Sequence, residues 1–442
     1  MRSTVSGNVQ VLFAALLCFL ALGLGGCHIG EERGVIHIVV EKRLANPLQP
    51  SLDQFASDLR AEGFLVSRDD TLLASVSPEA IRASLSQRRI HAPSLQGVIL
   101  VGEFAAPLFN RLEREGDPYW HDHLVDLYYM DLDGAWRDRD GDGVLDEHTS
   151  FSGGLFQRLF SRIVDRLPLG FDRRGPEIWL SRIRAGTLTT LGDELKLYRD
   201  YFARNHAYRT NDAPMTPLRA FVVSAGAILT ESSWGARPSK LYSEVSISEC
   251  EPNASEILRV RLADPKGWAL GVIGSFSGPQ VHKFHSLEGR GFDASWFDSR
   301  EGKELIAQYS LLEHKPWDVA SPEIARLAPK VLFYQVLSSE TGRHDHQGYL
   351  GGAYLFFGSG LAVIAGTQHS GAIGVPVLYD FLAESLPVGE AWRRAIQWSL
   401  DNPGKWLTLK WCDREESWDP SADPYKAVLL GDGTLRLPRD RH

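Results

Sequence analysis

The chain has 442 residues, a formal charge of −9 at neutral pH and 43% apolar residues. This apolar fraction is sufficient for a large core, which excludes a mostly disordered protein. The acidic balance and the lack of a basic run argue against a nucleic-acid-binding protein, which would carry a basic stripe. The length allows two or three compact units, or one large unit with insertions.

The N-terminus has the layout of an export signal. Arg2 precedes an apolar stretch that ends in small residues at LGGC, Leu24 to Cys27. This ending resembles a bacterial lipobox, in which the peptide is cut before the cysteine and the cysteine is acylated. We therefore predict a signal peptide at residues 1–26 and a lipid on Cys27. The protein would be anchored to the membrane of the bacterial cell envelope, at the outer membrane on its periplasmic or surface face.

A plain signal peptide or an uncleaved anchor helix is the alternative, although the apolar run is short for a spanning helix. Cys18 would be removed with the signal. The remaining cysteines, Cys250 and Cys412, would then be either two free thiols or a disulfide pair, and their spacing does not decide between these.

After a short spacer, residues 27–34, apolar runs alternate with amphipathic segments. The first are a strand, VIHIVV, a helix, SLDQFASDLRAEGF, and a second helix, SPEAIRASLSQRR, with Ser77 as its N-cap and Pro78 at its first position. The later strands are GVILVGE, LRAFVVSA, WALGVIGS, KVLFYQVL and LAVIAGT. Continuous apolar strands alternating with helices predict an α/β fold, with a mainly parallel sheet flanked by helices on both faces.

The division of the mature chain that we predict is a smaller N-terminal α/β lobe, residues 35–95, followed by a main domain, residues 96–438. The main domain contains an acidic loop, residues 131–149. The segment ESSWGARPSKLYSEVSISECEPNASE is predicted to be irregular. Aromatic residues in the loops either line a peptide or glycan groove or simply pack the loops onto the sheet.

The acidic loop contains DRDGDGVLDEH, in which carboxylates alternate and a glycine occupies the sixth position. This is the layout of a calcium-binding loop, and it predicts a structural calcium ion. The predicted ligands are four carboxylates and one backbone carbonyl: Asp138, Asp140, Asp142, Asp146 and Val144. The twelfth position, normally a bidentate glutamate, is Thr149, so Glu147, Asp131 or Asp133 would have to replace it. A solvated acidic turn without an ion is the alternative.

Several segments, in order, resemble the gingipain family of cysteine peptidases, which have a caspase-like fold. They are DLYYMDLDGAWRDRDGDGVLDE, PEIWLSRIRAGT, LKLYRDYF, LAVIAGTQHSGAIG, LPVGEAWRRAI and AVLLGDGTLRL. The resemblance extends from about Val98 to Leu437. It implies a nucleophilic cysteine after one strand and a histidine, within Gly-His-Gly, after another. Such a pair works because imidazole keeps the thiol ionised and returns a proton to the leaving amine.

Both of these positions carry serine in this chain. Ser275 stands where the resemblance implies the histidine, and Ser339, followed by Thr341 and Gly342, stands where it implies the cysteine. A serine hydroxyl needs a base in contact with it, and Ser275 cannot act as one. We therefore predict a peptidase fold without activity, which binds a peptide or protein ligand or acts as a scaffold.

Two other interpretations remain open. In one, Ser339 is the nucleophile of an active hydrolase and a loop histidine is its base. The candidates for this base are His282, His285, His344, His346 and His369. In the other, the strands are misregistered and Cys250 has a role. The His-x-His pairs that begin at His121 and His344 also suit zinc, but no third ligand has a telling spacing.

Overall fold

The computed structural model describes residues 33–110, 122–149, 175–212, 217–224, 237–249, 251, 253–284, 318–336, 338–368, 377–402, 407–410, 415–418 and 424–439. The strands are β1 Val35–Val40, β2 Leu65–Asp69, β3 Leu95–Val101, β4 Leu108–Phe109, β5 His123–Leu124, β6 Ala135–Arg137, β7 Glu147–Thr149, β8 Trp179–Ile183, β9 Arg219–Ser224, β10 Glu244–Glu249, β11 Trp268–Gly274, β12 Phe276–Gly278, β13 Val281–Lys283, β14 Asp318–Ala320, β15 Val331–Val336, β16 Ala362–Gly366, β17 Leu407–Lys410, β18 Glu415–Trp418 and β19 Ala427–Gly431. The α-helices are α1 Lys42–Ala45, α2 Gln49–Ala61, α3 Pro78–His91, α4 Leu127–Met130, α5 Glu194–Thr210, α6 Ala254–Leu262, α7 Ser321–Leu327, α8 Leu350–Phe356, α9 Leu378–Ala383 and α10 Val388–Asp401.

Ten of the strands form one sheet, in the order β10-β9-β11-β15-β16-β19-β8-β3-β1-β2. The run from β10 to β16 is parallel, and so is the run from β8 to β2. Strand β19 pairs antiparallel with β16. Most central strands are buried throughout, because helices cover them. The mainly parallel α/β fold predicted from the continuous apolar runs is therefore confirmed.

The helix boundaries follow local chemistry. The Ser77 side chain accepts a hydrogen bond from the amide of Ala80 and Pro78 begins α3, so the predicted cap is present. In the same way Asp193 caps α5, accepting from the amide of Lys196. That helix ends at Asn211, which has a left-handed backbone. No helix in the described part of the chain is long and apolar enough to cross a membrane.

One sequence prediction was wrong. Within the segment predicted to be irregular, Glu244–Glu249 forms β10, which pairs with β9 along its whole length. The run EVSISE has only two apolar residues, so it indicates a strand less clearly than the continuous apolar run of a buried strand does. It is an edge strand, and pairing with a distant strand supplies the backbone hydrogen bonds that its own sequence does not predict.

The strands of the predicted N-terminal lobe belong to the same sheet. Strand β1 pairs with β3 from Val35 to Val40, and β2 extends the sheet beyond β1. An ion pair between Arg43 and Glu194 at 2.6 Å and a hydrogen bond between Asp58 and His206 Nδ1 at 2.9 Å join this region to α5. The signal segment and Cys27 lie outside the described residues.

Candidate functional site

The two predicted serine positions lie side by side at one edge of the sheet. Strands β11 and β15 are parallel neighbours with Ile273 opposite Val336, so the segments that follow them leave the sheet at the same edge, that of the carboxyl ends. The Ser275 hydroxyl is 3.1 Å from that of Ser338, and the Ser275 amide donates to the Ser338 hydroxyl at 3.0 Å. The fold therefore brings together the two strand ends that the resemblance singled out.

Ser275 also contacts a histidine. Strands β12 and β13 form a small antiparallel hairpin directly after β11, in which His282 is opposite Ser277. The Ser275 hydroxyl is 2.7 Å from His282 Nδ1, and His282 Nε2 is 3.0 Å from the Tyr354 hydroxyl. The imidazole is fully buried, and burial lowers its pKa to about 3. His282 is therefore a neutral group held between two hydroxyls.

Ser339 lies in a tight turn over the end of β16. Glu340 has a left-handed backbone with φ of 55°, and its amide donates to the carbonyl of Gln368 at 3.0 Å. A β-carbon on Gly342 would lie 2.9 Å from two carbonyl oxygens of β16, so glycine is required there. The Ser339 carbonyl accepts from the Ser277 hydroxyl at 2.6 Å. This turn fixes the serine in place through backbone contacts.

Of the histidines proposed as a base for Ser339, the structure describes His282, His344 and His346. His282 is bonded to Ser275 and Tyr354. His344 is fully buried, and neither of its ring nitrogens has a hydrogen-bond partner among the described residues. Burial first, and then nearby arginines, hold the pKa of His344 well below its ordinary range. His285 and His369 lie outside the described residues, as do His121, Cys250 and Cys412.

Burial limits the reactions that these serines and histidines can perform. A serine next to a histidine that is itself oriented by a third group is the geometry of an activated nucleophile. Ser275 and His282 have this geometry, but their exposed fractions are 1% and 0%. Ser339 is 9% exposed, and among the described residues no histidine is bonded to its hydroxyl. The described residues thus contain no nucleophile–base pair that substrate could reach.

A buried ion pair supports the neighbouring end of β8. Arg182 donates from Nε and one terminal nitrogen to the Asp126 carboxylate at 2.7 to 3.0 Å, and its other nitrogen donates to the carbonyl of Phe104 at 2.7 Å. Both charged groups are almost completely buried. Beyond this strand, the Thr187 hydroxyl donates to the carbonyl of His344 at 3.0 Å. The turn after Ser339 is therefore attached to the loop that follows β8.

The acidic loop forms the hairpin of β6 and β7, and it gathers some of the predicted calcium ligands. Carboxylate oxygens of Asp138, Asp140 and Asp146 lie within 4.8 Å of one another, so this group can hold a cation. Asp146 is 7% exposed, and its Oδ1 has no hydrogen-bond partner in the part of the chain that the structure describes. Asp142 is not among these three carboxylates, and its side chain accepts a hydrogen bond from the amide of Val144 in a local turn.

The geometry of the hairpin also shifts pKa values. Hydrogen bonds from the amides of Gly143 and Gly141 lower the pKa of Asp138. The amide of Asp142 acts to lower the pKa of Asp140, but desolvation and repulsion from Asp142 and Asp138 together raise that pKa above its ordinary value. Both groups are exposed, so the shifts describe local contacts and not a buried charge.

A second acidic group was not predicted as a unit. Oxygens of Asp131, Asp133 and Glu177 lie within 4.8 Å of one another. Burial and the two aspartates raise the pKa of Glu177 to about 8. Sequence reasoning placed Asp131 and Asp133 with the calcium loop, and it missed Glu177, which is separated from them by more than forty residues. The Asp131 carboxylate also accepts a hydrogen bond from His148 Nε2 at 2.9 Å.

No sequence-family profile matches the chain, and no curated protein matches it in sequence. Its fold is similar to that of solved structures. The crystal structure of gingipain R (RGPB), described as an Arg-specific cysteine proteinase, has a TM-score of 0.55 at 10% identity, covering 93% of this chain and 79% of that one.

A complex of the Porphyromonas gingivalis RgpB pro- and mature domains has a TM-score of 0.54 at 11% identity, covering 92% of this chain and 80% of that one. A structure described as a protease gives 0.55 at 11% identity, with coverages of 92% and 79%. The gingipain-like, caspase-like fold implied by the resemblance is therefore confirmed. The likeness covers more of the chain than the segment from Val98 to Leu437.

Proposed function

We propose that this chain is a gingipain-like protein without peptidase activity that binds a peptide segment at the edge of the sheet formed by β11 and β15. The observation that supports the proposal is that the polar side chains at this edge are already hydrogen-bonded to one another. Ser275 stands at the implied histidine position, and the only described imidazole near it is bonded on both nitrogens. Ser339 has a hydroxyl in place of the thiol, and among the described residues no base is bonded to that hydroxyl.

The alternative, a serine hydrolase that uses Ser339, needs an imidazole at hydrogen-bond distance from its hydroxyl. A single experiment decides between the two. The unaltered chain, Ser339→Ala and Ser275→Ala are incubated with casein and with peptides containing Arg or Lys, and separately with a fluorophosphonate probe. We expect no cleavage above background from any of the three chains. Probe attached to Ser339, or cleavage lost in Ser339→Ala alone, would show the hydrolase to be correct.

Peptide binding is the role that we propose for this edge of the sheet, with a scaffolding role as the alternative. Parallel strand ends and the turns after them commonly form ligand sites in open α/β sheets. Fluorescence anisotropy with degenerate peptide libraries measures binding directly. We expect saturable binding that an excess of unlabelled peptide displaces. Absence of any peptide binding would refute this part of the proposal.

The chain is further proposed to be exported and held to the bacterial cell envelope by a lipid on Cys27. The support is the sequence LGGC after an apolar stretch. Expression in a bacterial host with labelled palmitate should give a labelled, membrane-associated protein. Cys27→Ser should lose both the label and the association, whereas Cys412→Ser should retain both. Labelling that persists in Cys27→Ser would contradict the anchor.

The cation of the β6–β7 hairpin is proposed to be calcium with a structural role, because hard carboxylate oxygens are its preferred ligands. The unpartnered buried Oδ1 of Asp146 supports a cation at this position. Calcium should raise the melting temperature by several degrees, since a ligand bound at 100 times its Kd stabilises by about 2.7 kcal/mol. Asp140→Asn should abolish the rise, and Asp200→Asn, an exposed position on α5, should not. An equal rise in Asp140→Asn would exclude this site.

A further inference from the structure

The first described residues lie beside the amino ends of three parallel strands. The amide of Arg33 donates to the carbonyl of Gly63 at 3.0 Å, and Val35 of β1 pairs with the first residues of β2 and β3. Strands β1, β2 and β3 therefore begin side by side, and we call this part of the sheet the amino edge. The segment 28–32, which joins Cys27 to Arg33, spans at most about 20 Å.

Two large apolar side chains are exposed at the amino edge. Leu65, the first residue of β2, is 46% exposed, and Ile90, in the last turn of α3, is 74% exposed. The end of α3 is held at the start of β3, because Arg89 donates to the carbonyls of Pro93 and Leu95. Single exposed apolar residues are common on protein surfaces, so the charges around them decide whether they indicate a partner.

Arginines from three parts of the chain lie at the same edge. Arg33 and Arg60 are exposed, and Arg60 lies in the last turn of α2, just before β2. Burial first, and then the nearby charges of Arg33 and Arg439, lower the pKa of Arg436, which follows β19. The carboxylate of Glu62 is also close, but it is already paired with an arginine of α5. Within the described ranges, no ion pair joins a carboxylate to any of the other four residues.

The candidate peptide site lies at the opposite edge of the sheet. Strand β8 is parallel to β3, and the loop after β8 contacts the turn after Ser339. The Thr187 hydroxyl donates to the carbonyl of His344 at 3.0 Å, and the Tyr349 hydroxyl donates to the carbonyl of Arg184 at 2.8 Å. The carboxyl ends of β3 and β8 are therefore on the side of Ser339. The amino edge is about 20 Å away, which is the length of a six-residue strand.

We infer that the amino edge lies against the membrane surface and that its arginines contact anionic lipid headgroups. The inference rests on the proposed lipid on Cys27, and it names the surface by which the anchored protein meets the bilayer. Basic residues are attracted to an anionic leaflet, and exposed apolar side chains such as Leu65 and Ile90 enter the boundary between headgroups and acyl chains. The candidate peptide site then faces the aqueous phase.

The first test measures which edge meets the bilayer. The lipidated protein is reconstituted into vesicles of phosphatidylcholine and phosphatidylglycerol that contain nitroxide-labelled headgroups. In variants that also carry Cys250→Ser and Cys412→Ser, a fluorescent label is attached at Leu65→Cys, Ile90→Cys or Leu73→Cys. Leu73 is the matched control, because it is 57% exposed and follows β2 at the opposite edge.

We expect quenching at positions 65 and 90 to be about threefold stronger than at position 73, because the nitroxide quenches only labels close to the headgroups. Equal quenching at the three positions, or stronger quenching at 73, would overturn the inference. Labelling of the same protein with palmitate tests the anchor separately. A lipidated protein with the wrong quenching pattern refutes the orientation alone, whereas a protein without lipid refutes the anchor, and the inference with it.

The second test assigns the contact to the arginines. Arg33→Gln, Arg60→Gln and Arg436→Gln together should lower quenching at position 90 about twofold, because each basic residue near an anionic surface adds to the attraction. Vesicles of phosphatidylcholine alone, or about 1 M salt, should have the same effect on the unaltered chain. Lys196→Gln, an exposed position near the start of α5, is the control and should leave quenching unchanged. Quenching of the triple variant equal to that of the unaltered chain would show the inference to be wrong.

Discussion

The imidazole of His282 is held between the hydroxyls of Ser275 and Tyr354, and Ser338 extends the same chain of hydrogen bonds to β15. At the scale of single residues, this chain of hydrogen bonds joins a set of neutral groups that bond to one another. A neutral buried imidazole costs little as long as it stays neutral, but protonation would place a charge in the core. The stability of the protein is therefore linked to pH through this residue.

We predict that His282 makes the protein less stable in mild acid. Above pH 6.5 the ring is neutral in both the folded and the unfolded chain. Below that, the unfolded chain binds a proton that the folded chain refuses until its pKa of about 3. The free energy of unfolding should therefore fall by about 2 kcal/mol between pH 7 and pH 5 on account of this group.

Urea unfolding of the unaltered chain and of His282→Phe at pH 7 and pH 5 measures the contribution of His282 to the free energy of unfolding. The difference in stability between the two chains should change by about 2 kcal/mol between the two pH values. His91→Gln, an exposed position at the end of α3, serves as the control. A pH dependence that is identical in His282→Phe and the unaltered chain would show that the ring is not neutral and buried in solution.

At the scale of elements, Trp179 of β8 joins three parts of the fold. Its indole lies against Gly97 of β3, Gly389 of α10 and Gly433 after β19, and a β-carbon at any of these glycines would overlap the ring or press closely against it. Glycine is needed at these three positions because the indole closely approaches the backbone, and not because the backbone has left-handed angles there. The packing of α10 on the sheet depends on this close approach.

Gly97→Ala should therefore destabilise the protein by about 2–3 kcal/mol, which is the usual cost of overpacking a core. The urea midpoint should shift with an unchanged m value. Gly278→Ala in β12 is the matched control, because a β-carbon there meets nothing within 4 Å. A Gly97→Ala protein as stable as the unaltered chain would mean that the indole of Trp179 does not lie against Gly97.

At the scale of the whole molecule, one sheet continues through the division between residues 35–95 and residues 96–438. Strand β1 is hydrogen-bonded to β3, and Phe55 of α2 packs against Phe202 of α5 with ring centroids 5.3 Å apart. Arg209 of α5 is bonded to Glu62 and to Asp432, which joins the two regions again through a buried guanidinium. The N-terminal residues complete the core of the chain that follows them.

A chain that begins at residue 96 is thus expected not to fold alone. It would expose the edge of β3 and the apolar surface of α5 that α2 covers, and an open edge of this kind promotes aggregation. Near-ultraviolet circular dichroism and urea unfolding should show no cooperative transition, in contrast to a chain that begins at residue 28. A cooperative transition in the shorter chain would establish residues 35–95 as an independent lobe.

Local patterns in the sequence determined the α/β class and the N-cap of α3. The order of the motifs also predicted the gingipain-like fold. These features depend on hydrophobic period and on contacts within a few residues, so they can be read from a short stretch. The serines were also predictable from the sequence, because Ser275 directly follows β11 and Ser339 comes three residues after the end of β15.

Only the tertiary structure decided which side chains meet. His282 contacts Ser275, and not Ser339, because the β12–β13 hairpin folds back on β11. Glu177 joins Asp131 because the amide of Glu177, just before β8, is bonded to the carbonyl of Met130. The turn that carries Ser339 rests on β16 because the amides of Glu340 and Gly342 are bonded to carbonyls at the end of that strand. Such contacts depend on strand order and on chain reversals between distant segments, which no local pattern encodes.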